Sequence, residues 1–106
     1  MHDGIRSHAR TKLITHVRAT QPACHLCGLA IPLNVDHQRH PLGSALDELT
    51  PRAHGGSPTD PSNVAHAHRL CNGIRGTKPI TPALRRRCRD AIERTLGQPG
   101  VTRRPW

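Results

Sequence analysis

The 106-residue chain has few of the bulky side chains from which a hydrophobic core is built. It contains no Phe and no Tyr, its single aromatic residue is Trp106, and Leu, Ile and Val together number 20. Ordering a chain costs about 1–2 kcal/mol per residue, and burial of so little apolar surface barely offsets that cost. We therefore expect either a largely disordered chain or a fold held together by something besides hydrophobic burial.

Long apolar runs are also missing. No segment approaches the roughly 20 apolar residues that span a bilayer, and the residues from Met1 to Gly4 contain no apolar signal-peptide region. We therefore expect a cytoplasmic protein with no membrane partner. In that compartment cysteines stay reduced, which favours metal binding over disulfide formation.

Acidic residues are scarce as well. The chain carries 16 Lys and Arg against 7 Asp and Glu, for a formal net charge of +9, and 14 of the cations are Arg. Arg pairs well with phosphate because its planar fork can donate two parallel hydrogen bonds. The charge therefore favours a polyanionic partner, DNA or another nucleic acid, although a protein can also be basic without binding one.

Apolar periodicity and turn residues predict three helices and one strand. They are a basic helix over residues 5–20, a strand over 46–49, a helix from 62 or 63 to about 74, and a helix from Pro82 to just before Gly97. Thr81 is placed to cap the last helix, and Pro82 suits its first position. We expect three segments: an N-terminal helix within 1–23, a central domain over 24–78, and a C-terminal helix with a frayed tail over 79–106.

Two pairs of soft ligands have zinc-binding spacing. Cys24 and Cys27 are separated by two residues, as are His68 and Cys71, and structural zinc sites take four such ligands in a tetrahedron. A structural zinc ion supplies about 10–16 kcal/mol of apparent binding free energy in small peptides, more than the stability of many domains. The four residues therefore predict a zinc site that decides whether the chain folds. Cys88 lies on the apolar stripe of the last helix and is expected in the core.

The two ligand pairs are separated by an unusually long insert. Residues 28–67 number 40, whereas simple zinc fingers keep loops of about 12–20 residues, and a loop this long usually carries function. Along the insert and just after it come an acidic pair, a proline, a double glycine, a DxxN sequence, an HxxCN sequence and a basic turn. These pieces are Asp47-Glu48, Pro51, Gly55-Gly56, Asp60 to Asn63, His68 to Asn72 and Gly76 to Lys78.

Together with the CxxC pair, this order of motifs resembles the HNH endonucleases of the zinc-stapled type found in phages and actinobacteria. The resemblance covers residues 24–78, about half of the chain. It implies an α+β fold with a ββα-metal core between flanking helices, in which a hairpin and a helix hold Mg²⁺ or Mn²⁺ against the scissile phosphate of DNA while the zinc ion is structural. It further implies little intrinsic sequence preference and a phage role beside a terminase in DNA packaging, in the cytoplasm of a bacterial host. We expect a monomer.

The resemblance also assigns roles to individual residues. Asp47 and Asn72 match the two ligands of the catalytic ion, and their oxygens are the hard donors that Mg²⁺ takes. Glu48 matches the general base. Asn63 matches the Asn that ties the loop and orients the base. Four cations are candidates to bind flanking phosphates: Arg52, Arg69, Arg75 and Lys78.

One position departs from the family pattern, because the base is normally a histidine where this chain has Glu48. An unperturbed Glu titrates near 4.3 against about 6.5 for His, so Glu is the weaker base. Three interpretations stay open at this stage. Glu48 is the base, a nearby His (His54 or His66) takes over the role, or the site is slow or inactive as a nuclease.

Plainer interpretations stand beside each of these. Asp47 and Glu48 also fit ordinary exposed carboxylates, and Asn63 and Asn72 fit helix caps. The basic N-terminal helix and the run from Arg85 to Arg89 fit either phosphate-binding arms or solvated helix faces. At the level of function, the alternatives are a non-catalytic zinc-stapled DNA-binding module and a redox protein that uses Cys24 and Cys27.

Overall fold

The computed structural model describes residues 5–98 and has a small α+β architecture. A π-helical segment, Ile5–Arg10, leads into helix α1, Thr11–Thr20, and the chain continues through two strands and two further helices. These are β1 (Ser44–Glu48), β2 (Val64–His68), α2 (Arg69–Arg75) and α3 (Pro82–Leu96). Short 3₁₀ turns, Arg52–His54 and Pro61–Asn63, lie in the connection between the strands.

The sheet has two antiparallel strands, and the helices pack around it. Ser44 lies opposite His68, and Glu48 lies opposite Val64. Helices α1 and α2 each contact both strands, and α3 contacts α2. The buried core is correspondingly small and rich in sulfur, with four cysteines among its members: Cys24, Leu26, Cys27, Ile31, Leu42, Ala67, Cys71, Leu84, Cys88 and Ile92.

The prediction of one helix from about residue 62 to 74 was wrong over its first half. Residues 64–68 form β2, all five of them buried, and the helix begins only at Arg69. His66 shows why: its Nδ1 lies 2.6 Å from the carbonyl of Gln21 and its Nε2 lies 2.9 Å from the hydroxyl of Ser44. Both partners are distant in sequence. Contacts with distant segments therefore make residues 64–68 a strand. The local spacing of apolar residues does not reveal such contacts.

The remaining element predictions agree with the structure apart from their ends. The first helix runs through residues 5–20, with π-helical geometry at its start, and the strand begins two residues earlier than expected. The hydroxyl of Thr81 accepts a hydrogen bond from the amide of Leu84 at 3.1 Å, which confirms the predicted N-cap of α3. Cys88 is completely buried on the inner face of α3, as expected.

The expected frayed tail beyond residue 98, including Trp106, lies outside the described residues. Within residues 5–98, none of the helices combines the length and the apolar character that a membrane crossing requires.

The side chain of Asn63 ties together the connection between the strands. The Nδ2 group of Asn63 donates to the carbonyls of Thr50 (3.0 Å) and Ser57 (2.8 Å), and its Oδ1 accepts from the amide of Thr50 (2.8 Å). Gly56 passes so close that a Cβ built on it would lie 1.7 Å from the Thr50 carbonyl oxygen. The preceding Gly55 has φ of 93°, a region that side chains rarely adopt. The double glycine is therefore required by the shape of this loop.

We expect Gly56→Ala to destabilise the protein by about 2–3 kcal/mol, because the added methyl group collides with backbone. Gly73→Ala is the matched control: Gly73 lies inside α2, and a Cβ there meets nothing within 4 Å. Relative to Gly, Ala in a helix interior stabilises by up to about 1 kcal/mol. Thermal denaturation followed by circular dichroism should show melting temperatures shifted in opposite directions. Equal shifts would contradict this description of the loop.

Candidate metal centre and acidic pocket

The four predicted zinc ligands meet in the core. The Sγ atoms of Cys24, Cys27 and Cys71 and a ring nitrogen of His68 all lie within 4.8 Å of one another, and all four residues are buried. The Nδ1 atom of His68 lies 3.3 Å from the Cys27 sulfur and 3.9 Å from the Cys71 sulfur. Ordinary zinc bond lengths give a ligand tetrahedron with edges of about 3.6–3.8 Å. The donor set and its spacing therefore suit a zinc ion, and we call these four residues the Cys3His cluster.

Two tight local structures aim these ligands at one point. The first is the knuckle, Cys24–Gly28, where the amide of Gly28 donates to the carbonyl of Cys24 at 2.8 Å and Gly28 has φ of 80°. The flanking residues Ala23 and Ala30 pair as an antiparallel bridge. The second is the junction of β2 and α2, where His68 is the last strand residue and Cys71 lies in the first helical turn. The predicted pairing of His68 with Cys71 is thus realised across a strand–helix junction.

The polar surroundings of the cluster orient its ligands. The Nε2 atom of His68 lies 2.9 Å from the carbonyl of Ala30, which assigns the proton to Nε2 and leaves Nδ1 free to coordinate. The amides of Leu29 and His68 donate to the sulfurs of Cys27 and Cys24, each at 3.4 Å. Such bonds stabilise negative charge on sulfur, which is the form that binds a metal.

The pKa values of the three cluster thiols are shifted in different directions. Hydrogen bonds from Cys27 and Cys71 hold the pKa of the Cys24 thiol far below its ordinary value. The hydrogen bond to Cys24 raises the pKa of Cys27 to about 12, and the hydrogen bonds to Cys24 and Cys27 raise the pKa of Cys71. Because metal binding requires thiolates, an ion entering the cluster displaces the remaining protons.

A second site lies beside the cluster, at the end of β1. An open cavity of about 290 Å³ is lined by residues from three places: the strand end, the following loop and α2. They include the predicted site residues Asp47, Glu48, Arg52 and Asn72, together with Leu46, Pro51, Ala53, Gly76 and Thr77. We call this cavity the acidic pocket. It brings together both predicted ligands of a catalytic ion and the predicted base.

Asp47 is the best-held side chain of the acidic pocket. It is only 2% exposed, and its two carboxylate oxygens have different partners: Oδ1 accepts from Arg75 Nη1 at 2.9 Å, and Oδ2 lies 2.7 Å from His25 Nε2. A carboxylate has about four acceptor positions, so two contacts leave room for a cation. The plain interpretation of Asp47 as an exposed carboxylate was wrong.

Arg75 is a correction to the predicted DNA contacts. Its guanidinium is 3% exposed, and its donors are directed at groups of the protein itself: the Asp47 carboxylate and the carbonyls of Glu48, Leu49 and Lys78. A buried guanidinium with its donors committed in this way does not reach a phosphate at the surface. Arg75 instead ties α2 to the end of β1 and compensates the buried charge of Asp47.

Glu48, the next residue of the strand, contacts two arginines. Its Oε2 accepts from Arg10 Nη1 at 3.2 Å and from Arg52 Nη2 at 2.9 Å, and its side chain is 15% exposed. Arg52, 60% exposed, has a raised pKa because Glu48 accepts its hydrogen bonds. Glu48 and Arg52 therefore give the acidic pocket one carboxylate and one cation that faces solvent.

The two other predicted DNA contacts lie at the surface of α2 and just after it. Arg69 is exposed, and Lys78 is exposed with its ammonium donating to the carbonyl of Ile74 at 2.8 Å. Neither residue lines the acidic pocket. Asn63 also lies outside its lining and acts on it through the loop that its amide holds.

The histidines considered as alternative bases lie elsewhere. His66 is fully buried with both ring nitrogens engaged, and burial lowers its pKa. His54 is exposed and does not line the acidic pocket. Of the three candidates for the base, only Glu48 lines the pocket.

Sequence reasoning missed His25. It lies between the two cysteines of the knuckle, and its ring reaches Asp47, 22 positions later in the chain. The only signal in the sequence was its place inside the CxxC motif, and nothing there indicates which way its ring points. His25 connects the two sites directly, because its neighbours Cys24 and Cys27 belong to the cluster.

We expect Cys24→Ala to abolish zinc binding and to unfold the protein, since the free energy of zinc binding exceeds the stability of a typical domain. Cys88→Ala removes an equally buried cysteine that lies outside the Cys3His cluster. This control should retain one zinc ion per chain and lose only the stability of a small core truncation, about 1 kcal/mol. Elemental analysis and circular dichroism provide both measurements. A full complement of zinc in Cys24→Ala, or an unchanged melt, would contradict the assignment.

Comparison of the chain with protein-family models, with curated proteins and with solved structures gives no match. A functional interpretation therefore starts from the two sites just described.

Proposed function

We propose that this protein is a zinc-stabilised, metal-dependent DNA endonuclease of the HNH type, with the strands and α2 as a ββα-metal core. The observation that carries the proposal is the acidic pocket. It gathers Asp47 and Glu48 from the end of β1 and Asn72 from α2 into one cavity. Those are the three positions to which the motif pattern assigns metal binding and base catalysis.

The donor chemistry of the acidic pocket fits a small divalent cation. Asp47 offers a carboxylate with free acceptor positions, and Asn72, half-buried, offers an amide oxygen. Mg²⁺ and Mn²⁺ bind such oxygen donors, and Mg²⁺ usually binds few protein groups and keeps several waters. Bound there, such an ion would supply positive charge to the phosphate that undergoes hydrolysis.

The chain's own residues divide the remaining work. Glu48 takes the proton of the attacking water, and general base catalysis of this kind contributes roughly 10²–10⁴-fold. Arg52, at the pocket mouth, stabilises negative charge on the phosphate. Asn63 holds the loop that carries Arg52, and Arg75 and His25 hold Asp47 in place.

The Cys3His cluster is structural in this proposal. It fixes the knuckle against the start of α2, and Asn72 follows the ligand Cys71 directly in the chain. The knuckle in turn carries His25 to Asp47. Zinc binding therefore sets the relative positions of the two proposed ligands of the catalytic ion.

DNA is the proposed substrate because of the net charge of +9 and the exposed cations beside the acidic pocket. Arg52, Arg69 and Lys78 remain proposed phosphate contacts. Nothing in the described fold resembles a separate module for reading bases, so the proposed cleavage has little sequence preference and takes its target from a partner such as a phage terminase.

A non-catalytic DNA-binding module is the second candidate function, and one observation favours it. Both carboxylates of the acidic pocket already form ion pairs, Asp47 with Arg75 and Glu48 with Arg10 and Arg52. Carboxylates in such pairs serve stability equally well without a cation. The two candidate functions make different predictions for DNA cleavage. Only the nuclease should lose cleavage activity when Asp47, Glu48 or Asn72 is replaced.

We expect Glu48→Gln to lower the rate of plasmid nicking with Mg²⁺ or Mn²⁺ by about 10²–10⁴-fold, because the amide cannot accept the proton. Asp36→Asn is the matched control, since Asp36 is 58% exposed, pairs with Arg39 and does not line the acidic pocket. Nicking at the control's rate by Glu48→Gln would remove Glu48 from the role of base.

A second pair of variants addresses metal binding. Asn72→Ala should raise the Mn²⁺ concentration needed for half-maximal nicking by about 10-fold or more, which corresponds to the loss of one ligand worth about 1.4 kcal/mol. Asn34→Ala, an exposed loop position, should leave that concentration unchanged. If wild-type protein shifts DNA on a gel but never nicks it with either ion, the binding-module interpretation replaces the nuclease.

A further inference from the structure

We propose that the cleft between the knuckle and α3 is a second phosphate-binding surface, which holds the backbone of a nucleic acid strand beside the acidic pocket. The cleft has a volume of about 280 Å³. Arg85, Arg86 and Arg89 of α3 line one side, and the four consecutive knuckle residues 25–28 line the other. We call it the arginine cleft.

The pattern of α3 places these arginines together. Leu84, Cys88 and Ile92 are buried and face the core, as does Ala91, whereas the arginines between them face outward. Arg85 and Arg89 are four residues apart, the spacing at which helical side chains lie next to each other. All three arginines are exposed. The arrangement leaves three guanidinium groups along one rim of an open cleft.

One of the arginines also fixes the opposite wall. The guanidinium of Arg85 donates to the main-chain carbonyl of His25, which holds α3 against the knuckle. The arginine cleft therefore lies between two elements, α3 and the knuckle, whose positions are fixed by the core and the Cys3His cluster. Phosphate binding benefits from such fixed geometry because less side-chain freedom is lost.

No carboxylate lines the arginine cleft. Arg89 pairs with Glu93 at 3.6 Å, but both side chains are more than half exposed, and such surface ion pairs are weak. A chain of phosphates can displace that partner and pair with the guanidinium forks bidentately.

The position of the cleft favours a strand of nucleic acid as its ligand. His25 lines the arginine cleft, and its ring contacts Asp47 of the acidic pocket. We infer from this link that one strand holds a phosphate at the acidic pocket and further phosphates along the α3 arginines. The open shape and the spread of three cations along a helix suit a linear polyanion better than a small anion, which needs an enclosing site.

This inference rests on DNA being the ligand in the proposed function, but it does not require hydrolysis. It adds Arg85, Arg86 and Arg89 to the phosphate contacts and extends the footprint from the end of β1 to the far side of the knuckle. The experiment below measures binding without added divalent cation. Its outcome is therefore separate from that of the nicking assays.

The test compares two double variants of the zinc-loaded protein. Arg86→Gln/Arg89→Gln removes two cations of the arginine cleft and leaves Arg85, which holds α3 to the knuckle. Arg39→Gln/Arg94→Gln removes two exposed arginines elsewhere, one of them ion-paired as Arg89 is. The two variants therefore have the same net charge. Fluorescence anisotropy of a short labelled DNA duplex gives affinities between about 50 and 200 mM KCl.

We expect the cleft variant to lower the slope of log affinity against log salt by about 1.8, since each phosphate contact contributes about 0.9. The control should keep the wild-type slope, and both should retain zinc and the wild-type circular dichroism spectrum. Equal slopes for the two variants, whether both unchanged or both reduced, would overturn the proposal. If the slope changes as expected but the wild type does not nick DNA, the arginine cleft stands and the nuclease assignment fails.

Discussion

The meeting of four soft ligands from the two ends of a 40-residue insert is the constraint on which the structure depends. Cys24 and Cys27 enter from the knuckle, and His68 and Cys71 enter from the junction of β2 and α2. The apolar core around them is small, so an ion bound there would supply the stability that large buried side chains supply in other folds. The acidic pocket and the arginine cleft both depend on these same elements, the knuckle and the junction of β2 and α2. The acidic pocket takes Asn72 from α2, and the arginine cleft takes one wall from the knuckle.

Burial of one carboxylate makes the acidic pocket more than a surface depression. Asp47 is held between the guanidinium of Arg75 and the ring of His25. Burying a charge is costly unless it is compensated, and here the compensation comes from two elements on either side of the strand end. The carboxylate is consequently oriented before any cation or substrate arrives. Such preorganisation is a requirement of the proposed metal site.

Much of the site could be predicted from the sequence because its signals are local. The spacing within each ligand pair, the caps of α3 at Thr81 and Gly97, and the place of Cys88 on an apolar stripe all follow from short-range geometry. What could not be predicted depends on contacts between distant segments. Residues 64–68 became a strand because β1 lies beside them, and Arg75 turned inward because a buried Asp47 lies opposite it. His25 shows the same limitation, since a knuckle sequence does not reveal what its central side chain faces. The functional roles of Asp47, Glu48, Asn63 and Asn72 remain predictions, as do the three proposed segments of the chain.

The contacts of α1 and the residues flanking it indicate that the smallest fragment able to adopt this fold includes the N-terminal helix. Leu13 and Val17 are buried, and Arg10 donates both to Glu48 and, at 2.7 Å, to the carbonyl of Pro58 in the loop between the strands. Just after α1, the side chain of Gln21 accepts from the amide of His66. A fragment limited to the motif-bearing residues 24–78 would thus uncover one face of the sheet and leave Glu48 with one arginine instead of two. The N-terminal helix therefore contributes to the structure around the acidic pocket, and its side chains can influence that pocket from outside the motif.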